Sequence, residues 1–338
     1  MTLSMMKTII SSSPFLRSGL STPRIMWEVV ITLVPVVGMA AWVFGISALL
    51  MTLVCVLACW MAERIFLPPA PGASVLGDGS AVITGILLAL CLPPGFPFWM
   101  AFLGGFVAIA LGKAMWGGLG HNVFNPALLG RAFLQAAFPG AITTWSAPAT
   151  SFFALRGSNL ALPFLKGESV DAMTGATPLS AMKFTHQAAD WQDLLIGQVS
   201  GSLGETSGGL FLLLGLYLAW RGLINWRIPV GMIATVGLFS GILYWIDPAH
   251  YAPPQFMILA GGLMLGAVYM ATDLVSSPLT HKGIWIYAVG IGILVVMIRV
   301  WGGLPEGVMY AILLMNAVTP LINRALPTRV YGHASPTS

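Results

Sequence analysis

A hydroxyl-rich stretch, Asp171-Ala-Met-Thr-Gly-Ala-Thr-Pro-Leu-Ser180, lies in the longest polar region of a strongly apolar chain. Two of its residues, Thr174 and Thr177, bracket a Gly-Ala pair, so an approaching molecule meets little steric hindrance there. Gly, Ser, Thr and Pro are also the usual residues of turns, and an ordinary turn is the competing interpretation. The chemistry that the pattern offers is attachment of a group to an exposed hydroxyl.

The composition indicates a polytopic membrane protein. The 338 residues are 57% hydrophobic and only 8% charged, whereas a soluble domain carries about 25% charged residues. The formal charge of +4 does not indicate nucleic-acid binding, because basic residues of a membrane protein report topology first. Three cysteines, Cys55, Cys59 and Cys91, are too few for a metal site that needs about four ligands. We expect buried apolar thiols and no metal.

Ten apolar segments predict an all-α fold with about ten transmembrane helices. They lie near residues 25–43, 46–62, 80–93, 97–115, 124–138, 208–221, 228–246, 255–272, 283–300 and 306–323. The third and the fifth are short, and Pro93-Pro94 and Asn125-Pro126 interrupt them. Broken helices are tolerated only where protein or a cavity satisfies their backbone. We therefore expect a cofactor or solute site inside the bundle, with tightly packed kinks as the alternative.

The basic residues predict the orientation of the chain. Ten spans put both termini on one side, where ten Lys and Arg residues lie, and the other side has only Arg156, Lys166 and Lys183, all in one loop. By the positive-inside rule the termini are cytoplasmic. The chain then divides into five regions. They are a cytoplasmic tail (1–24), a first five-helix repeat (25–138), a periplasmic loop with the hydroxyl-rich stretch (139–207), a second five-helix repeat (208–323) and a second cytoplasmic tail (324–338).

A short internal repeat supports two inverted halves. Trp116-Gly-Gly-Leu119 recurs as Trp301-Gly-Gly-Leu304, ahead of the fifth and the tenth span. Because five spans per half is an odd number, the two halves must have opposite orientations in the membrane. Inverted repeats are common in transport proteins, whose sites lie at the interface between the repeats.

A few charged residues fall in or near apolar spans. Arg131 and Arg299 are either functional, because a charge in a membrane is costly, or snorkel from a helix end; the sequence leaves both open. Asp273 and Glu306 flank the eighth and the tenth span, and we expect them at solvated boundaries, with an ion site as the alternative. We expect His121 to be a loop residue.

Several motifs resemble one known family. Asp171-x-x-Thr174-Gly-Ala-Thr177 fits the D-x-x-[ST]-G-A-T pattern at which a flavin transferase attaches FMN to the final threonine through a phosphoester. Together with this motif, stretches along nearly the whole chain are similar to the NqrB/RnfD family, and closer to the RnfD branch of Rnf electron-transport complexes than to the longer NqrB. They are Ser12-Ser-Pro14, Ser21-Thr-Pro-Arg-Ile-Met26, Gly120-His-Asn-Val-Phe-Asn-Pro-Ala127, Gly201-Ser-Leu-Gly-Glu-Thr-Ser207, Thr272-Asp273, Ser277-Pro-Leu-Thr280, Pro305-Glu-Gly307 and Leu314-Met-Asn-Ala317.

The resemblance implies a subunit of an ion-translocating redox complex in the bacterial inner membrane. Electrons would pass between ferredoxin and NAD, coupled to Na⁺ or H⁺ movement, with the A, B, C, E and G subunits as partners. It also implies a urea-transporter-like fold and covalent FMN on Thr177, within an attachment motif of Asp171, Thr174, Gly175 and Ala176 that a flavin transferase recognises. The flavin carries out the electron chemistry, so we expect no catalytic acid or base in this chain.

A second flavin, non-covalent riboflavin, is predicted near Asn122 and Asn125. A flavin in the external loop lies most of a bilayer, about 30 Å, from the cytoplasmic side, which is too far for one efficient electron hop. Residues 120–127 also resemble the part of NqrB implicated in riboflavin binding. The alternative is that the two asparagines cap a short helix.

Two other functions remain open for the chain as a whole. It could be a solute channel or secondary transporter without redox activity, or a structural anchor in which the flavin motif is accidental. Flavin absorbance on the purified chain would separate the redox role from both.

Overall fold

A computed structural model describes residues 21–67, 78–145, 151–153, 155, 157–162, 176–185, 189–197, 199–248 and 250–327. Within these ranges the chain forms α-helices, short 3₁₀ and π turns and no strand. The α-helices are α1 (Thr22–Phe44), α2 (Ile46–Phe66), α3 (Ser80–Leu90), α4 (Phe98–Gly112), α5 (Pro126–Ala137), α6 (Pro139–Ile142), α7 (Pro178–Thr185), α8 (Trp191–Ile196), α9 (Gly208–Trp220), α10 (Arg227–Ile246), α11 (Pro254–Leu259), α12 (Leu263–Leu265), α13 (His281–Trp301) and α14 (Val308–Ala325).

Six helical segments are long and apolar enough to cross a membrane. They are α1, α2, α10, α13, α14 and Phe98–Trp116, in which a 3₁₀ turn extends α4. Large apolar side chains on these helices point outward, and Trp42 on α1 and Trp245 on α10 are more than four-fifths exposed. Such a surface is unfavourable in water and suits lipid. The chain is therefore a multi-pass membrane protein, as its composition predicts.

The third and the fifth predicted spans are short helices, as expected: α3 has 11 residues and α5 has 12. The prediction of one continuous helix over 255–272 is wrong. α11 ends at Leu259, Gly261 has a φ of 70°, and α12 then continues into a π-helical turn over Gly266–Met270. The pair Gly261-Gly262 is the sequence signal for this break, because a positive φ costs little only at glycine.

Each half of the chain contains a close crossing of two long helices. α4 packs on α2, where a Cβ added at Gly105 would lie 2.9 Å from Ala58 Cβ and 3.1 Å from Cys55 O. α13 packs on α10, where a Cβ added at Gly292 would lie 3.1 Å from Met232 O. Small residues let backbones approach closely in lipid, where the hydrophobic effect does not hold helices together. The two crossings therefore use the same kind of contact.

The end of α3 is closed by the segment that precedes α9. Leu203 N–H donates to Leu92 O at 3.0 Å, and Gly204 N–H donates to Leu90 O at 2.7 Å. The last carbonyl groups of a helix have no partner within the helix, and inside a bilayer they must find one in the protein. This segment therefore allows α3 to end inside the bundle.

Candidate cofactor sites

Thr177 lies immediately before α7 and caps it. Its Oγ1 accepts a hydrogen bond from Ser180 N–H at 3.2 Å and lies 2.8 Å from the Ser180 hydroxyl oxygen. Pro178 is the first helical residue, a position that proline favours. Ala176 is exposed, but Thr177 is only 5% exposed. The expectation of an exposed acceptor hydroxyl at Thr177 is therefore wrong, because helix capping turns it inward.

The position of Thr177 nevertheless suits a phosphoester. An ester oxygen keeps its lone pairs, so Oγ1 can still accept the Ser180 N–H bond after modification. Pro178 has no N–H and Ser180 N–H is bonded to Oγ1, so the first turn of α7 offers a phosphate the Leu179 N–H and the positive end of the helix dipole. The other motif residues, Asp171, Thr174 and Gly175, lie outside the described residues.

Lys183 attaches α7 to the carboxyl end of α13. Its Nζ donates to the carbonyl oxygens of Arg299 and Leu304, both at 3.1 Å, and to that of Gly302. Three ammonium donors thus meet three acceptors where a helix dipole favours a cation. Partial burial lowers the pKa of Lys183, because desolvation disfavours its charged form. The helix that begins at Thr177 is therefore held against the membrane bundle.

A buried ion pair connects the two halves of the chain. Arg131 on α5 donates to Glu306, which precedes α14, at 2.7 Å, and Glu306 also accepts from Gly262 N–H at 2.8 Å. The side chains of the pair are 10% and 15% exposed. Arg131 does not snorkel, and the expectation that Glu306 lies at a solvated boundary is wrong. The charge of Arg131 compensates that of Glu306, because either charge alone would be costly at this buried position.

Arg299 stabilises the break between α11 and α12. It is buried, and its guanidinium donates to the carbonyl oxygens of Met257 and Ala260 at the end of α11. These carbonyls have lost their helical partners because the helix stops at Leu259. Arg299 therefore has a structural role, since it binds irregular backbone, and it does not snorkel to solvent.

A second site lies near the amino ends of α3 and α5. A cavity of about 840 Å³, partly open to solvent, is lined mainly by apolar side chains from α1 and α3 and by the segment that follows the π turn. Its polar lining residues are Ser80, Thr84, Lys113, Asn122, Asn125, Tyr269, Thr272 and Asp273.

Both predicted asparagines line this cavity, and both are engaged in the fold. Asn125 Oδ1 accepts from the N–H groups of Ala127 and Leu128, so Asn125 is the N-cap of α5, and its Nδ2 donates to Met270 O at 3.1 Å. The capping alternative is thus confirmed for Asn125. Asn122 Nδ2 donates to Asp273 Oδ2 at 3.2 Å.

Asp273 is held on the same wall of the cavity and is partly buried. It accepts bonds from Asn122, from the Ser276 hydroxyl at 2.9 Å and from Val275 N–H at 3.2 Å. Asp273 therefore lies at one end of the bundle, beside a cavity that is partly open to solvent, with its carboxylate bonded within the protein. His121 is an exposed loop residue, as expected.

Lys113 forms the polar base of the cavity. It is 3% exposed, and its Nζ contacts Glu63 and the Ser80 hydroxyl and lies 3.8 Å from Asp78 Oδ2. Two carboxylates thus compensate the ammonium. The cavity therefore offers little excess positive charge and suits a neutral aromatic ligand better than a phosphorylated one.

The two sites are well separated. The Thr177 site adjoins the carboxyl end of α13 through Lys183, whereas Asp273 lies in the segment that leads into the amino end of α13. α13 has 21 residues, which corresponds to about 30 Å of helix. The three cysteines are buried and free, as expected, and no cluster of potential metal ligands occurs among the described residues.

The fold and these sites define an integral-membrane protein with polar sites toward opposite ends of a helical bundle. The sequence profile of the NQR2, RnfD, RnfE family matches residues 9–332, and the chain belongs to this family. The family predicted from the sequence motifs is therefore confirmed.

Characterised relatives match almost the full chain. The D subunit of the proton-translocating ferredoxin:NAD⁺ oxidoreductase complex of Clostridium ljungdahlii is 42% identical over 325 residues, which is 93% of each protein. Its counterpart in the Na⁺-translocating ferredoxin:NAD⁺ oxidoreductase complex of Acetobacterium woodii is 41% identical over 96% of this chain and 95% of the relative. The corresponding protein of the ion-translocating oxidoreductase complex of Stutzerimonas stutzeri is 41% identical over 92% of each.

Proposed function

We propose that the chain is the RnfD-type membrane component of an ion-translocating ferredoxin:NAD⁺ oxidoreductase and that it relays electrons through bound flavin. The observation that carries the proposal is the match along nearly the whole chain to proteins whose names state this complex. Flavin supplies the electron transfer, and the chain supplies position, charge and exclusion of water. Its partners are the A, B, C, E and G subunits, and the coupling ion is Na⁺ or H⁺.

In this proposal FMN is joined to Thr177 by a phosphoester. The Asp171-to-Thr177 motif and the capping position of Thr177 support the attachment. Lys183 supports the relay, because it holds the modified helix against α13. Since Thr177 is buried once α7 has docked, the flavin transferase acts on the chain before docking.

The second flavin in this proposal is riboflavin in the cavity beside Asn122 and Asn125. Support comes from the mostly apolar lining of the cavity and from the compensated charge of Lys113. Asn125 shapes the wall as a helix cap, and Asn122 holds Asp273 in place. The length of α13 makes a single electron hop between the two ends of the bundle inefficient, which is why a relay needs this second cofactor.

The proposed architecture is two inverted five-helix repeats with a urea-transporter-like fold in the inner membrane. The repeated glycine-lined crossings, α2 with α4 and α10 with α13, support it, as does the contact between α5 and α14 at the interface of the halves. In this arrangement the termini are cytoplasmic, and residues 139–207, with Thr177, face the periplasm where the transferase acts.

Mass spectrometry of the purified chain tests the proposal. The peptide that contains Thr177 should carry the mass of FMN less one water, and the chain should show flavin absorbance. Purified protein from cells that express the flavin transferase, but without any flavin, would contradict the redox role. That result would favour a solute channel.

A further inference from the structure

A pocket beside α7 is not explained by capping or by docking of this helix. It is partly open to solvent, and Leu179, Met182 and Lys183 form one wall. These positions are three and four residues apart and share one helix face. The pocket therefore lies along the helix that Thr177 begins.

The other walls come from the membrane bundle and offer flat and apolar surfaces. They are formed mainly by Tyr251, Phe256, Met257, Val300 and Pro305. The Tyr251 ring packs edge-on against His250, with ring centroids 5.1 Å apart, which fixes its orientation. Aromatic and apolar walls of this kind bind planar ring systems.

The charge of the pocket is positive. Lys183 and Arg299 both line it, and the described lining residues include no Asp or Glu. The ammonium of Lys183 and two guanidinium nitrogens of Arg299 are bonded to backbone carbonyls. These bonds fix the positions of the two cations. Glu306 and Glu205 compensate part of the Arg299 charge from outside the pocket lining, whereas Lys183 has no carboxylate partner among the described residues. Such a site favours a planar aromatic ligand that gains negative charge.

We propose that this pocket binds the isoalloxazine ring of the flavin on Thr177, with Tyr251 against the ring and Lys183 setting its potential. The inference rests on the proposed attachment at Thr177. Lys183 lies six positions after Thr177, which is about 9 Å along a helix and comparable to the ribityl chain between phosphate and ring. A positive charge stabilises the reduced flavin relative to the oxidised one and so raises its midpoint potential.

The test uses the full chain with its covalent flavin, and mass spectrometry confirms the loading first. Lys183→Met should weaken the preference of the site for reduced over oxidised flavin about tenfold, which lowers a two-electron midpoint potential by about 30 mV. Lys183→Arg keeps the charge and should shift the potential less. Tyr251→Leu should raise flavin fluorescence several-fold by removing a quenching ring, whereas Tyr244→Leu, outside the pocket on α10, should not.

A measurement on the flavin-loaded wild-type protein does not depend on whether the variants fold. Aqueous iodide should quench the covalent flavin much less than free FMN, because the ring is enclosed. A fully loaded protein whose flavin is quenched like free FMN, or whose potential and fluorescence do not respond to Lys183→Met and Tyr251→Leu, would overturn the pocket assignment and leave the attachment intact. A wild-type Thr177 peptide without FMN would instead overturn the attachment itself.

Discussion

The hydroxyl of Thr177 has two roles, helix cap and proposed flavin acceptor, and substitution separates them. Thr177→Ala should abolish covalent flavin, because no acceptor oxygen remains. Thr174→Ser should retain much of it, because the motif accepts either hydroxyl residue at that position. In-gel flavin fluorescence measures both, and Thr185→Ala, an exposed threonine at the end of the same helix, is the control. Undiminished fluorescence in Thr177→Ala would refute the assignment.

The pair of Arg131 and Glu306 should matter mainly for stability. Glu306→Gln leaves the Arg131 charge buried without its partner, and breaking such a pair typically costs roughly 3–5 kcal/mol. The double variant Arg131→Met with Glu306→Met should lose less, because no charge is left buried. Denaturation in detergent measures both. Arg24→Met removes an exposed arginine that pairs with Glu28 and should change stability by less than about 1 kcal/mol, because Glu28 keeps Arg221 as a partner.

Sequence reasoning found the residues whose roles are local and missed those whose roles depend on distant contacts. Asn125 is recognisable as a cap because Pro126 follows it. Lys183 acts through carbonyls 116 to 121 residues further along the chain. Lys113 meets carboxylates 50 and 35 residues earlier. Neither lysine has a local pattern that distinguishes it from a basic residue flanking a span.

At the scale of helices, the contact of α3 with α2 depends on Gly85. A Cβ at Gly85 would lie 2.5 Å from Val56 Cα, which is backbone and cannot move aside. Gly85→Ala should therefore destabilise the protein by about 1–3 kcal/mol. Gly38→Ala on α1 is the matched control, because nothing lies within 4 Å of its added Cβ. It should be neutral or stabilising by up to about 1 kcal/mol. Equal melting temperatures for the two variants would contradict the close crossing.

Asn125 both caps α5 and lines the cavity proposed for riboflavin, so two substitutions are needed to separate the two roles. In a Thr177→Ala background, acid extraction should release a flavin without phosphate, and Asn125→Leu should reduce it by removing the cap and altering the wall. Asn125→Asp keeps the capping oxygen and should retain more flavin than Asn125→Leu. An extract without any flavin would rule out the second cofactor.

The sequence predicted the short helices but not the break in the eighth segment. Pro93-Pro94 limits α3, and Asn125-Pro126 starts α5, because proline restricts the residue before it. Over 255–272 the hydropathy is continuous, and Gly261-Gly262 alone marks the break. Two glycines can pack within a helix or interrupt it. Which of these occurs depends on whether the carbonyl groups that lose their helical hydrogen bonds at a break have other donors nearby. Here the partner is Arg299, from another helix.

At the scale of the whole molecule, the predicted topology can be tested by cysteine labelling. Leu160→Cys should react with an impermeant thiol reagent in intact spheroplasts, because Leu160 is 65% exposed and lies in the region predicted to be periplasmic. Lys282→Cys, at the amino end of α13, lies on the side predicted to be cytoplasmic and should react only after permeabilisation. The native cysteines are buried and give little background. The reverse labelling pattern would overturn the orientation.

During synthesis, α11 and α12 leave the ribosome well before Arg299 does. The carbonyl oxygens of Met257 and Ala260 receive their bonds from this residue, which follows them by 42 and 39 positions. Lipid offers no donor to these oxygens, and an unsatisfied polar group in hydrocarbon costs several kcal/mol. This segment must therefore wait at the water interface, or within the insertion machinery, until α13 arrives beside it. We therefore expect α11, α12 and α13 to enter the membrane together.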